Sequence, residues 1–268
     1  MKKQILAAAL ALTMALIGCA APKAEDQETP APTAEPALTA VPETAAEPSA
    51  EPAESAALEA QDAEGSAKAA YRAALTDVLE GRALPDGTDL SADAGADLAG
   101  TSFAVADVDG DGKSELVLLY GSAYTAGQTA LIMGYGEAGL MHTELKEYPL
   151  LTFYEGGVIR ADWSHNQGLA GSFWPYTLYR NDASSDTSRT IGMADAWDRS
   201  FVSDNFPDEI DVSKTGFVYY IMENGVYETV APVDAAVYEA WKNGILGSAG
   251  EIALPLQQLS AENVAAIG

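Results

Sequence analysis

Apolar residues are spaced differently in successive parts of the chain. Ala70, Tyr71, Ala74, Leu75, Val78 and Leu79 recur at helical spacing and predict an amphipathic helix, with Ser66 as N-cap and an end before Gly81. Pro85 to Gly100, rich in Asp, Ala and Gly, reads as an acidic loop. From Phe103 to about Val230 the pattern changes to short runs of aromatic and branched residues separated by Gly, Asn and Asp. Three hairpins are predicted: Leu131–Met133 with Leu140–Thr143, Leu151–Tyr154 with Val158–Trp163 around Gly156-Gly157, and Phe217–Met222 with Val226–Val230 around Asn224-Gly225. Tyr176–Arg180 and Thr190–Ala194 read as further strands. A second helix should run from Asp234 as N-cap to Asn243 or Leu246, burying Val237, Tyr238 and Trp241, and a short last helix should begin at Ser260.

Sequential hairpins favour a meander. The expected architecture is one α+β domain over residues 67–268, a curved antiparallel sheet of about seven to nine strands flanked by terminal helices. No fixed-period repeat supports a complete propeller, which would need several more blades.

Composition narrows what such a domain can do. The 268 residues hold 40 acids against 14 bases, a formal charge of −26, with one Cys and two His. A lone Cys excludes an internal disulfide, and with two His it excludes a Cys/His zinc cage. The negative balance argues against nucleic acid as a partner. The charge divides as +2 over residues 1–19, −10 over 20–66 and −18 over 67–268.

At the N-terminus, Lys2 and Lys3 precede an apolar run from Ile5 to Ile17, too short to span a bilayer but suited to a signal peptide. Leu16-Ile17-Gly18-Cys19 resembles the bacterial lipobox. The resemblance implies that Cys19 carries the lipid and becomes the mature N-terminus, anchoring the protein in the cell membrane on the extracellular side. The alternative is an ordinary small residue near a conventional cleavage site or in a membrane anchor. Residues 20–66, with seven prolines and few large apolar side chains, read as a disordered tether.

The most informative local sequence is Asp107-Val108-Asp109-Gly110-Asp111-Gly112-Lys113-Ser114-Glu115. Carboxylates at alternate positions of a loop that turns at glycine offer hard oxygen ligands around one centre, with the Lys113 carbonyl as a backbone donor. Oxygen donors without nitrogen or sulfur select Ca²⁺, in a structural role. Position 12 is Leu118, where an EF-hand would carry Glu. The segment Phe103 to Tyr120 instead resembles the strand–loop–strand calcium loops of FG-GAP repeats, which implies that Glu115 takes the place of the twelfth-position ligand. With lipobox and tether, the whole resembles surface lipoproteins of Gram-positive gut bacteria, a class that brings no activity with it. The alternative is a tight hairpin whose acids are solvated.

Other chemistry-bearing residues are weaker signals. Asp162-Trp163-Ser164-His165-Asn166 gathers an acid, a hydroxyl and an imidazole, but neighbours on a strand point to opposite faces and no nucleophile elbow occurs. Trp163, Trp174, Tyr176 and Tyr179 would suit a sugar-binding platform, or simply pack a pleated surface. Asp162, Trp163, His165, Trp174 and Tyr176 are therefore the candidate ligand surface, and His142 reads as a surface or cross-strand residue. The expectation is a non-enzymatic, calcium-stabilised lipoprotein module, anchored in the bilayer and binding cell-wall glycan or a surface protein. The enzyme alternative is a cell-surface hydrolase at Asp162 to Asn166.

Overall fold

A computed structural model describes residues 51–268 apart from 94, 137, 167, 168, 183 and 223–230. The lipobox, Cys19 and most of the tether lie outside the described residues, as do the strand Val226–Val230 and its Asn224-Gly225 turn.

The first helix, α1 (Glu51–Leu79), begins well ahead of Ser66, where it was expected to start. Pro52 sits in its first turn, where a missing N–H costs nothing; Ala and Glu, strong helix formers, dominate the residues beyond it. Ser66 is not a cap, since its Oγ donates to the Asp62 carbonyl one turn earlier at 2.9 Å. Gly81, at φ 66, lies just beyond the helix end as expected. Ala67, Tyr71, Leu75 and Val78 form the buried stripe.

The strands make two antiparallel sheets where one curved sheet was expected. The first contains β1 (Ser102–Ala106), β2 (Glu115–Tyr120), β3 (Thr129–Tyr135), β4 (Met141–Glu147) and β12 (Gln257–Gln258), in the order β12-β1-β2-β3-β4. The second contains β5 (Leu151–Tyr154), β6 (Val158–Asp162), β7 (Tyr176–Asp182), β8 (Thr187–Asp198), β9 (Phe217–Met222), β10 (Val233–Asp234) and β11 (Glu251–Ile252), in the order β10-β9-β8-β7-β6-β5-β11. The domain is mostly β, with few helices, and is not a closed barrel.

Alternation along the strands sorts side chains into three apolar layers. Phe103, Leu116, Leu118, Leu131 and Met133 face α1 and the last helix, α3 (Ala261–Ala265). Val117, Ile132 and Leu145 face the second sheet and meet Phe153, Ile159 and Tyr179. Val158, Tyr176, Leu178 and Ala194, on its other side, pack against α2 (Ala235–Leu246). Strands covered on both faces need apolar residues at successive positions, which explains the uninterrupted Leu116 to Tyr120 and Ala130 to Met133.

Both later helices start where expected. Asp234 caps α2 by accepting from Ala236 N at 3.2 Å, and Ser260 caps α3 by accepting from Asn263 N at 3.1 Å. On α2, however, Tyr238 is buried while Val237 is 52% exposed, because the helix docks along Tyr238, Trp241 and Ile245. Tyr219 stacks on Tyr238 with ring centroids 4.1 Å apart.

Leu75→Ala should cost about 2–5 kcal/mol of unfolding free energy in urea titration, whereas Val237→Ala should stay within about 0.5 kcal/mol.

Candidate metal centre

β1 and β2 pair from Ser102↔Leu119 to Ala106↔Glu115, so residues 107–114 close the hairpin at one edge of the inter-sheet layer. Gly110 and Gly112 take φ 84 and 88, which lets the chain curl back on itself. The carboxylates hold that curl. Asp107 accepts from Gly110 N at 2.7 Å and Gly112 N at 3.0 Å, Asp109 from Asp111 N at 3.0 Å, and Asp111 from Lys113 N at 2.8 Å. Glu115, the first residue of β2, turns inward and accepts from Val108 N at 2.9 Å. Tyr71 of α1 donates to the Ser114 carbonyl at 2.9 Å, tying the loop exit to the helix.

Asp107, Asp109 and Glu115 each bring one oxygen to within 4.8 Å of the others. Asp111 falls into a different group, with Asp109 and Asp186. Its carboxylate is also paired with Lys113 Nζ at 2.9 Å, so the lysine side chain enters as a neutralising cation. The five residues expected to share one ion are thus distributed differently, with Asp109 common to both groups.

The second sheet completes the surroundings. Asn181 of β7 donates to Asp109 Oδ2. Asp186, in the β7–β8 turn, lies 3.8 Å from Lys113 Nζ. Gly157, in the β5–β6 turn at φ 74, backs onto the loop so closely that a Cβ there would stand 1.8 Å from the Asp109 carbonyl oxygen. From β4 comes Glu144, which a β-bulge directs inward: Ile132 pairs with Leu145 and Met133 with Thr143, leaving Glu144 unopposed. A cleft of about 980 Å³ opens over these groups, lined among others by Asp109, Asp111, His142, Asn181 and Asp186.

Burial, reinforced by the neighbouring carboxylates, makes these carboxyls weaker acids. Burial pushes the Glu115 carboxyl up to about 9 and that of Glu144 up to about 8, and it also raises Asp109. Such a group favours its protonated form, or a cation in place of the proton. The all-oxygen set of Asp107, Asp109 and Glu115 suits a hard cation such as Ca²⁺.

The aromatic and polar candidates near Asp162 do not form one site. Tyr176 is 1% exposed and its hydroxyl bonds that of Tyr238 at 2.9 Å under α2, so it offers no ligand surface. Tyr179 faces the inter-sheet layer and bonds Glu147. Asp162 is paired with Arg160 at 2.6 Å. Trp174 donates its indole N–H to the Trp163 carbonyl. Trp163 and His165 do share a shallow groove of about 410 Å³, but Asp162, Trp174 and Tyr176 do not line it. His165 is exposed and bonds Ser164 at 3.1 Å, with no carboxylate behind it among the described residues. A nucleophile–base–acid relay is not assembled there.

Residues 99–132 match the FG-GAP repeat. The match covers β1, the acidic loop, β2 and the first part of β3, and repeats of this family commonly bind calcium. No curated protein and no solved structure matches the chain. The repeat carries the loop, whereas His142, Glu144, Asn181 and Asp186 lie outside it. Spacing along the chain does not signal these four, because β-bulge and sheet stacking bring them in. His142, read as a surface or cross-strand residue, lines the cleft.

Gly157→Ala should push the loop away from the second sheet and lower stability by about 1–3 kcal/mol in urea titration. In a chelator, stability should fall as pH rises. Glu115 and Glu144 bind protons more tightly folded than unfolded between their ordinary 4.5 and about 9 and 8, so the native state holds more protons across that window. Excess Ca²⁺ should flatten this slope in melts run from acid to alkaline pH.

Proposed function

We propose that the protein is a membrane-anchored extracellular lipoprotein whose two-sheet domain is a calcium-stabilised, non-enzymatic binding or envelope-associated module. The observation that carries this reading is the acidic loop of the FG-GAP segment, set against the second sheet by Asn181 and Gly157. A cation bound by Asp107, Asp109 and Glu115 would relieve the repulsion among carboxylates where the two sheets meet. Its role there is to hold the module rigid. The flexible loop and oxygen donors suit Ca²⁺ better than Mg²⁺. Facing an extracellular calcium pool, a dissociation constant on the order of 10⁻⁴ to 10⁻³ M would keep the site filled.

Anchoring rests on the lipobox-like Leu16 to Cys19. A lipid on Cys19 and a Pro-rich segment behind it would hold the module off the bilayer, where cell-wall glycan or another surface protein is within reach. The groove at Trp163 and His165 is the surface most suited to a glycan ring, since an indole beside polar groups is the usual sugar platform. The hydrolase alternative has less support, since Asp162 is paired to Arg160 and no carboxylate stands behind His165 among the described residues.

Two measurements test the reading. Millimolar Ca²⁺ should raise the melting temperature, and Asp109→Ala should abolish that rise; an unchanged melting temperature in the unsubstituted protein overturns the calcium assignment. Cys19→Ala should move the protein from the membrane fraction to the soluble one, and retention through that change and high salt overturns the anchor.

A further inference from the structure

Beside the acidic loop, a second set of donors contains nitrogen. His142 and Glu144 stand on the same side of β4, and Asp186 reaches them from the β7–β8 turn of the other sheet. His142 Nε2 lies 2.9 Å from the Asp186 carbonyl oxygen, 3.4 Å from Asp186 Oδ2 and 3.8 Å from Glu144 Oε1. A carbonyl only accepts, so Nε2 carries the proton and aims it into a ring of oxygens. Ligand atoms around a tetrahedral ion with bonds of about 2.0–2.2 Å lie roughly 3.3–3.6 Å apart, and the spacings from Nε2 bracket that range.

Independent of the cluster itself, Glu144 calls for a partner. Its side chain is only 3% exposed, yet its carboxylate accepts no hydrogen bond among the described residues. A buried carboxylate without a donor is costly unless a cation meets it. Asn181 Oδ1, also buried, has no hydrogen-bond partner, and its amide nitrogen lies 3.5 Å from Asp186 Oδ1. Room for the set is kept by Gly134 of β3, where a Cβ would stand 2.0 Å from Glu144 Oε1 and 2.8 Å from His142 Cε1.

We propose that His142, Glu144 and Asp186 form a second metal site, distinct from the calcium loop, for a borderline divalent ion of the zinc class. One imidazole and two carboxylates suit such an ion, whereas calcium prefers oxygen alone. Binding replaces the Nε2 proton by the metal. His142 and Asp186 are both partly exposed to the cleft, which provides the entry path and leaves a coordination position open to water or to a ligand of the module. Because Glu144 belongs to one sheet and Asp186 to the other, the ion also clamps the two sheets together.

The test is a Co²⁺ titration of the full chain carrying Cys19→Ala, which removes the only thiol, in excess Ca²⁺ to fill the loop. Stoichiometric binding with the intense visible absorption of four-coordinate Co²⁺, displaced by Zn²⁺, is expected. His142→Ala and Glu144→Gln should each weaken binding by more than the roughly 10–100-fold that loss of an outer-sphere partner costs. Asp204→Asn, exposed and outside both sites, should leave it unchanged. Absence of that absorption in the chain with His142 and Glu144 intact, or binding that survives both His142→Ala and Glu144→Gln, overturns the site. Because the readout is spectroscopic, it stands whether or not calcium shifts the melting temperature.

Discussion

Along most of the layer between the two sheets, Val117, Ile132 and Leu145 meet Phe153 and Ile159; at one edge, carboxylates take their place. Glu115 and Glu144 enter this layer from the first sheet, Asp109 from the loop beside it, and Asp186 from the second sheet. Like charges crowded at low dielectric repel, and desolvation adds to that cost, so this edge holds together only if protons, hydrogen-bond donors or cations compensate. Asn181 and Lys113 supply part of the compensation. The rest is left to protons or to a cation that these acidic groups could hold.

The surrounding fold serves to hold that edge in register. Tyr71 of α1 bonds the loop exit at Ser114, Gly157 leaves no space between the β5–β6 turn and Asp109, and the bulge at Glu144 keeps Glu144 and its neighbour Leu145 on the same inner face, which regular pleating would separate. Each depends on a different layer: helix against sheet, sheet against sheet, and strand within sheet. The apolar packing and the acidic edge are therefore opposed contributions to one interface, with the first holding the second in place.

Much of the local structure was legible in the chain. The Leu151–Tyr154 hairpin, the caps at Asp234 and Ser260, and the helix end before Gly81 follow from turn chemistry and capping, which act over a few residues. The start of α1 was misplaced because prolines upstream of Pro52 gave the whole stretch the character of a tether, although Ala and Glu beyond it favour helix. Tyr176 looked like a ligand platform because an aromatic on a strand reads the same whether it faces water or a helix. The same ambiguity hid the two-sheet stacking. Uninterrupted apolar runs such as Leu116 to Tyr120 signal burial on both faces but do not say what covers each.

By itself, the sequence determined the acidic loop and its donor chemistry, since Asp107 to Glu115 are contiguous and their backbone curl is dictated by alternating carboxylates and glycines. It determined as well the helix caps and the strands that lie next to each other in the chain. Only the tertiary structure decided that Asp186 and Asn181, some seventy residues further on, complete the loop's surroundings, and that Glu144 and His142 face them. The physical reason is that a side chain's partners across a sheet interface are set by register, bulge and stacking. These are global outcomes of burying apolar surface and leave no periodic mark on the polar residues they bring together.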